Sequence, residues 1–407
     1  MVSTDLHLYL GSRFCSAAAM TMLRAAIAWH VFALSHSAFH LGLIGLVQFV
    51  PVLSFTLVGG AVADTYERRK VIILAQLVPM LCAGVLFAAT QHGVVTLPLL
   101  YGMVLLVAVA AAFENPARAA LLPALVPRDA FARAVTWSST VQALAFMSGP
   151  TACGFIIAGP GIGAVYAVYV VLLLGSLLAL AFLRHAARGH GRGAVTFAAA
   201  VEGLAFVRRN PVVLGCMTLD MFAVIFGGAT ALLPIYANDI LMVGPRGYGV
   251  LNAALEAGAL LSSLALVVLP PITRAGRALL VAVGVFGAAT IVFGLSRSFP
   301  LSVLAYMAAG VADQVSVVMR STAIQLSTPD ELRGRVSAVN FIFIGASNQL
   351  GAVESGFVAA LTNATFSVVS GGIGCLLVLA IVAARMPDLR RYRIDTGALR
   401  PAGIPPN

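Results

Sequence analysis

Four ionisable residues lie deep inside long apolar runs: Arg24 in MTMLRAAIAW, Asp220 in GCMTLDMFAV, Asp313 in AAGVADQVSV and Glu354 in QLGAVESGFV. In hydrocarbon a charged side chain at the centre of a helix costs about 2.5–3.5 kcal/mol on insertion scales, so such residues persist where they bind a substrate, relay a proton or neutralise one another. A carboxylate among them can take up and release a proton, which makes Asp220, Asp313 and Glu354 candidates for proton coupling. Arg24 can hold an anion or act as countercharge to one of the acids. Glu256 and Glu114 are weaker members of the same set. Each has a second reading, an interhelical ion pair or hydrogen bond that only fixes packing.

Helical spacing sharpens the choice, because residues seven apart return to one face. Tyr306, Asp313 and Arg320 form one such stripe; Asn340, Ser347, Gly351 and Glu354 form another, flanked by Asn348. Polar stripes need protein or water beside them rather than lipid, so both are expected to face a central cavity. Asp220 shares its face with Gly227 and Ala231 and has no partner nearby in sequence. His30 sits in the same run as Arg24, roughly 120° around the helix, and is either a proton-sensing group or a packing histidine. Trp29, Phe32, Phe222, Phe226 and Phe341 either line an apolar cavity or are ordinary core and lipid-facing residues.

Composition sets what must position these groups. The 407 residues are 60% hydrophobic and 10% charged, with a mean hydropathy of +0.98, which excludes a soluble globular protein. A membrane-spanning helix needs about 20 apolar residues. Twelve runs qualify, near 13–35, 43–63, 71–90, 96–115, 134–158, 161–183, 211–236, 247–269, 278–296, 299–319, 336–361 and 366–385. The first is expected to be a retained helix, since no cleavage site follows it. The expected organisation is a six-helix bundle over 1–183, a cytoplasmic linker over 184–209, a second six-helix bundle over 210–385 and a tail over 386–407. With both termini inside, 22 of the 25 basic residues fall in inside loops and tails and only Arg246 and Arg297 outside, as the positive-inside rule requires. The net charge of +10 is therefore topological and gives no reason to expect nucleic acid. Cys15, Cys82, Cys153, Cys216 and Cys375 are scattered in apolar runs at no metal or redox spacing. There is no phosphate-binding lysine loop and no nucleophile with a base at useful spacing, so neither an enzyme nor a cofactor is expected.

The chain is internally duplicated. PARAALLPALVPRDAFARAV, from Pro116, matches MRSTAIQLSTPDELRGRVSAV, from Met319. Arg118 aligns with Arg320, Pro127 with Pro329, Asp129 with Glu331, Arg133 with Arg335 and Gly149 with Gly351, each 202 residues apart. Such a repeat is typical of transporters whose halves enclose a site near the bilayer midplane.

Between the second and third runs lies GGAVADTYERRK, Gly59 to Lys70. The glycine pair permits close backbone approach, Asp64 is placed to cap the next helix, and Arg68, Arg69 and Lys70 suit a cytoplasmic headgroup region. Gly60, Asp64, Arg68 and Arg69 resemble the G-x-x-x-D…R-[RK] loop of the major facilitator superfamily, with Glu67 where that family often has glycine. The resemblance implies an all-α fold of twelve transmembrane helices in two bundles, and a latch built on these four residues that holds one conformation and releases the other. The related loop LPPITRAGR, from Leu269, keeps Arg274 and Arg277 but has no acid, so the latch is asymmetric.

GPTACG in the fifth run resembles the end of that superfamily's antiporter motif through Gly149, Pro150 and Gly154, with Cys153 in place of a glycine and Ala145 where an upstream glycine is expected. The motif implies export. The fourth run lacks the buried arginine of many proton-coupled drug exporters, so coupling is expected elsewhere. HLGLIGLVQFVPVL, PARAALLPALVP, LDMFAVIFGGATALLPIYA and RGRVSAVNFIFIGASNQLG resemble the branch of enterobactin exporters and transmembrane secretion effectors. What the resemblance implies is a monomeric secondary transporter of the bacterial inner membrane that exports a small organic molecule, a siderophore or an amphipathic drug-like compound, against protons. A metabolite uptake carrier and a non-transporting receptor of the same fold are the alternatives.

Overall fold

A computed structural model describes residues 4–127, 130–183, 197–270 and 272–394, without the side chains of 52, 53, 56, 57 and 197–201. Arg128, Asp129, Arg184, Arg188, Arg192 and Arg400 thus lie outside the described residues. The first bundle is α1 (Thr4–Ser35), α2 (Ala38–Thr65), α3 (Arg68–Gln91), α4 (Leu97–Leu125), α5 (Phe131–Ala158) and α6 (Ile162–Ala181). After a short α7 (Phe197–Arg209), the second bundle comprises α8 (Pro211–Phe226) with its broken continuation α9 (Leu233–Ile235), then α10 (Gly244–Val268), α11 (Ala275–Leu295), α12 (Phe299–Leu326), α13 (Arg333–Leu361) and α14 (Ala364–Arg385), followed by the stub α15 (Pro387–Arg391). Among the described residues no strand occurs. Among the described residues eleven helices are long and apolar enough to cross a bilayer; the 28-residue α2, with a shorter apolar stretch over Ala38–Pro51, completes the set of twelve.

The duplication extends to packing. Adding 202 to the bounds of α4, α5 and α6 reproduces those of α12, α13 and α14 to within two residues. The pairs α1–α5, α1–α6, α2–α4, α3–α4 and α3–α6 recur as α8–α13, α8–α14, α10–α12, α11–α12 and α11–α14. Lipid supplies no hydrophobic force between helices, so small residues that admit close backbones hold them together. A Cβ on Gly258 would lie 2.0 Å from the Met307 carbonyl, and one on Gly310 would lie 1.9 Å from that of Leu255, which is how α10 and α12 come into contact.

Helix starts follow local chemistry. Asn210 accepts hydrogen bonds from the amides of Val212 and Val213 at 3.1 Å to cap α8, with Pro211 at its first position. Asn363 does the same for α14 through the Phe366 amide, 2.8 Å away. Several helices run beyond their apolar stretches. The first turns of α1 carry Tyr9 and Ser12, both buried, and α4 continues through Pro116 and Pro123. In consequence Arg13, Arg118 and Arg320, assigned to inside loops on hydropathy, are helical residues, and the latter two are buried. Hydropathy misses these turns because their polar side chains point into the bundle. The described part of the 184–209 linker is the helix α7, whose Gly203 abuts the Arg335 carbonyl and whose Glu202 pairs with Arg335 at the start of α13.

The two halves join through α2–α13 and α5–α10. The close approaches cluster at one end. Gly42 faces Gly356, Phe39 contacts Phe357 at 4.9 Å between centroids, Gly154 meets Gly249 and the Pro245 carbonyl, and the Tyr248 hydroxyl donates to the Ala25 carbonyl at 3.0 Å. A Cβ on Gly356 would stand 2.3 Å from the Gly42 Cα. Gly356→Val is therefore expected to part this seam, since overpacking costs about 1–3 kcal/mol. Labelling of Asn252→Cys from the outer side should rise severalfold over the same cysteine in the unaltered seam; an unchanged rate would show that the seam is not the closing contact.

Candidate functional site

Between the halves lies a cavity of two adjoining lobes of about 370 and 380 Å³. Arg24, Ile44, Gln48, Asn348 and Gln349 line both lobes. The upper lobe reaches Tyr248 and Asn252 near the closed seam; the lower one descends to Asn115, Pro116 and Phe341.

One wall is made by the break after α8. Gly227 and Gly228 end the α-helix, a 3-10 turn runs over Ala229–Leu232, and a π turn over Tyr236–Ile240 completes the span. The break allows close packing: Gly371 sits on the Phe226 carbonyl and Gly228 on that of Gly351. It also presents backbone to the cavity, because Val224, Gly227, Gly228, Thr230 and Ala231 all line the upper lobe. Irregular backbone at such depth is tolerated only where protein or a water-filled cavity flanks it.

Arg24, Glu256 and Asp313 share this upper lobe. Arg24 is exposed to the cavity, and the two acids are half-buried. None of the three enters an ion pair among the described residues. Tyr306 lines the lobe beside Asp313 and shares a 2.6 Å hydrogen bond with Thr230. Tyr306 and Asp313 thus face the cavity as their spacing implies, whereas Arg320, the third member of the stripe, lines neither lobe.

Asp220 does have a partner. Arg320 pairs with it across α8 and α12, and the two side chains are 4% and 11% exposed respectively. The sequence conceals this because 100 residues separate them. The repeat-related Arg118 instead takes Glu114 on its own helix, 2.8 Å away. Around that pair Gln76 donates to Glu114 at 2.8 Å, Ser176 to Gln76 at 3.0 Å, Arg118 to Ser16 at 3.2 Å, and Ser12 meets Ser176 at 2.8 Å. Both are buried ion pairs, one in each bundle.

The other candidates separate. The stripe on α13 contributes only Asn348 to the cavity. Gly351 packs on the Val224 carbonyl of α8, Ser347 is buried and bonds Ile344, and Asn340 is not among the lining residues. Glu354 accepts a 3.3 Å hydrogen bond from Ser355, also off the cavity wall. This face of α13 is turned to α8 and α14, since glycine there allows backbone contact. His30 is buried between α1 and α6, 2.8 Å from the Tyr166 hydroxyl. Phe222 stacks on Phe226 at 6.2 Å and does not line the cavity. Gln48, Thr230, Asn252 and Gln349 do line it and were missed. Their signal was an uncharged polar side chain within an apolar run, which a search on charge passes over.

The latch residues divide as well. Gly59, rather than Gly60, makes the close approach, with a Cβ there falling 2.1 Å from the Ala112 carbonyl; at Gly60 there is open space. That carbonyl lacks its usual donor four residues on, because residue 116 is proline. Asp64 lies in the last turn of α2, so it does not cap α3, whose N-cap is Glu67. Arg68 donates to the Ala120 carbonyl at 2.9 Å, and Arg69 to those of Leu183 and Ala181 at 2.7 Å. Cations are favourable at these carboxyl ends of α4 and α6. Asp64 has no ion pair or hydrogen bond among the described residues. In α5, Gly149 packs on Thr21 and the Ala18 carbonyl of α1, Gly154 on α10, and Pro150 lines the cavity between them.

Comparison with known proteins gives a consistent result. The sequence model of a family described as transmembrane secretion effector matches residues 7–398. The chain is 25% identical to the enterobactin exporter EntS of Escherichia coli O1:K1 over 94% of its length and 92% of the relative's. It is equally similar to EntS of E. coli O6:H1 strain CFT073. In fold it resembles the nucleoside transporter NupG (TM-score 0.72, 13% identity, 94% of this chain and 99% of that one). It also resembles a bacterial homologue of the human lysosomal transporter Spinster in an inward-facing, occupied conformation (TM-score 0.67, 14% identity, 95% and 97%).

Proposed function

The chain belongs to the transmembrane secretion effector family of the major facilitator superfamily, and on that premise we propose that it exports a small anionic organic molecule of siderophore type in exchange for protons. It is an exporter of the bacterial inner membrane and not an enzyme. The observation that carries the finer reading is the upper lobe, where one cation, Arg24, and two carboxyl groups, Glu256 and Asp313, share a cavity without an ion pair among the described residues.

With the arginine-rich face and both termini in the cytoplasm, the closed seam is periplasmic and the lower lobe opens inward, so this is the cargo-loading conformation. Arg24 would anchor an anionic group such as a catecholate, with Gln48, Asn252 and Asn348 offering neutral hydrogen bonds. A proton arriving on Asp313 or Glu256 removes a charge that only one conformation can tolerate, and its release inside resets the cycle. In the opposite conformation Asp64 gains a partner, so the loop around it biases which side is open. A single chain suffices, as the cavity lies wholly between its own bundles.

The test is transport into inside-out membrane vesicles. Catecholate siderophore should accumulate inside on energisation, and Arg24→Gln should weaken its binding about 10–100-fold, the worth of a charged hydrogen bond. Accumulation in right-side-out vesicles would mark an uptake carrier instead, and no flux in either orientation would mark a receptor.

A further inference from the structure

Away from the cavity, at the end of the molecule that holds most arginines, Arg274, Arg277, Arg390, Arg391 and Arg393 surround a pocket of about 110 Å³, with Tyr392 among them. All five arginines are exposed, and none is ion-paired among the described residues. Asp388, the acid on the same stub helix, forms no ion pair with them either. Five guanidinium groups around one concavity repel one another unless an anion joins them.

The pocket is rigidly built. The Ile394 amide donates to the Thr273 carbonyl at 2.8 Å, and the Gly276 amide to that of Tyr392 at 3.2 Å. Leu389 is 1% exposed, and its carbonyl lies where a Cβ on Gly276 would stand. The Ser327 hydroxyl donates to that of Tyr392 at 3.4 Å, tying the segment to the end of α12. These contacts hold α15 and the residues after it against the start of α11, whose N-cap is Arg274. The positive end of that helix dipole adds to the same spot.

We propose that these five arginines form a binding site for one phosphate group, carried either by the headgroup of an anionic phospholipid in the facing leaflet or by a free phosphate ion. Guanidinium forks match phosphate oxygens in pairs, and basic pockets at the cytoplasmic ends of membrane helices suit lipid headgroups. The cargo cavity plays no part in this site. The function suggested is to fasten the carboxyl-terminal segment to the start of α11 through a bridging anion.

The experiment uses the full-length purified protein. Native mass spectrometry reads retained phosphatidylglycerol against phosphatidylcholine, and thermal unfolding reads stabilisation by inorganic phosphate against chloride at equal ionic strength. The triple variant Arg390→Gln, Arg391→Gln, Arg393→Gln should retain at least about tenfold less phosphatidylglycerol than the wild type, while Arg208→Gln, an exposed arginine on α7 outside the pocket, should retain as much. A second variant, Arg274→Lys with Arg277→Lys, keeps the charge and should bind at an intermediate level while eluting as a folded monodisperse species. Phosphate stabilisation lost in the triple variant, without any lipid preference, would assign the site to a free phosphate. Equal loss in Arg208→Gln, or no difference between triple variant and wild type with either probe, would overturn the proposal.

Discussion

Asp313→Asn is expected to stop gradient-driven transport while leaving passive exchange of the cargo intact. Asp313 lines the cavity on the same face of α12 as Tyr306, and among the described residues it has no countercharge in an ion pair. Asparagine preserves its shape and hydrogen bonding but fixes the neutral state, so the protein can still rock between conformations with cargo bound. What it loses is the dependence of that motion on the proton. Linked sites are typically coupled by about 1–3 kcal/mol, or about 5–150-fold in affinity; without that coupling, concentrative uptake by inside-out vesicles should fall to the undriven level while counterflow persists. Glu256→Gln should lower the driven rate less if Asp313 is the main carrier. The double replacement Asp220→Asn with Arg320→Gln, which removes both members of a buried ion pair and leaves no unpaired charge, should not uncouple transport. Loss of counterflow together with the driven rate would instead place Asp313 in cargo binding.

Arg320→Met is expected to destabilise the second bundle severely. It leaves Asp220 buried opposite an apolar side chain, and removal of one member of a buried pair costs about 3–5 kcal/mol. Replacing both members, Asp220→Asn with Arg320→Gln, should recover much of that loss, because no uncompensated charge remains. Thermal unfolding in detergent distinguishes the two: a single variant well below the double is the expected order, and equal destabilisation would show that packing volume rather than charge matters at this crossing.

The contrast between the two halves explains why such pairs resist reading from sequence. In the first bundle Arg118 finds Glu114 four residues earlier, one turn away on the same helix, a spacing any helical pattern reveals. In the second bundle the position related to Glu114 is Ser316, and the acid comes from α8. The duplicated architecture, by contrast, was legible almost throughout. Hydropathy found each span, and the 202-residue offset of Arg118 and Arg320 foretold the packing repeat. Span ends were less legible, because Tyr9, Ser12 and Arg118 are polar or amphipathic residues that point into protein, where lipid hydropathy does not apply. The cavity was partly legible. Tyr306 and Asp313 lie where their sevenfold spacing implied, yet the equally regular stripe of Asn340, Ser347, Gly351 and Glu354 turns away, since a glycine within it admits the backbone of α8. Period alone says which residues share a face; it does not say what that face meets. Gly59 and Gly60 show the same limit, as only contact with the Ala112 carbonyl distinguishes them.

The most direct test of proton-coupled export is to reconstitute the protein in liposomes containing a pH-sensitive dye, impose a proton gradient and add catecholate siderophores and lipophilic cations in turn. Antiport predicts that a transported compound collapses the gradient in proportion to its own flux, and that Asp313→Asn abolishes the dye response. Compound crossing the membrane with no accompanying proton movement in the wild-type protein would contradict it.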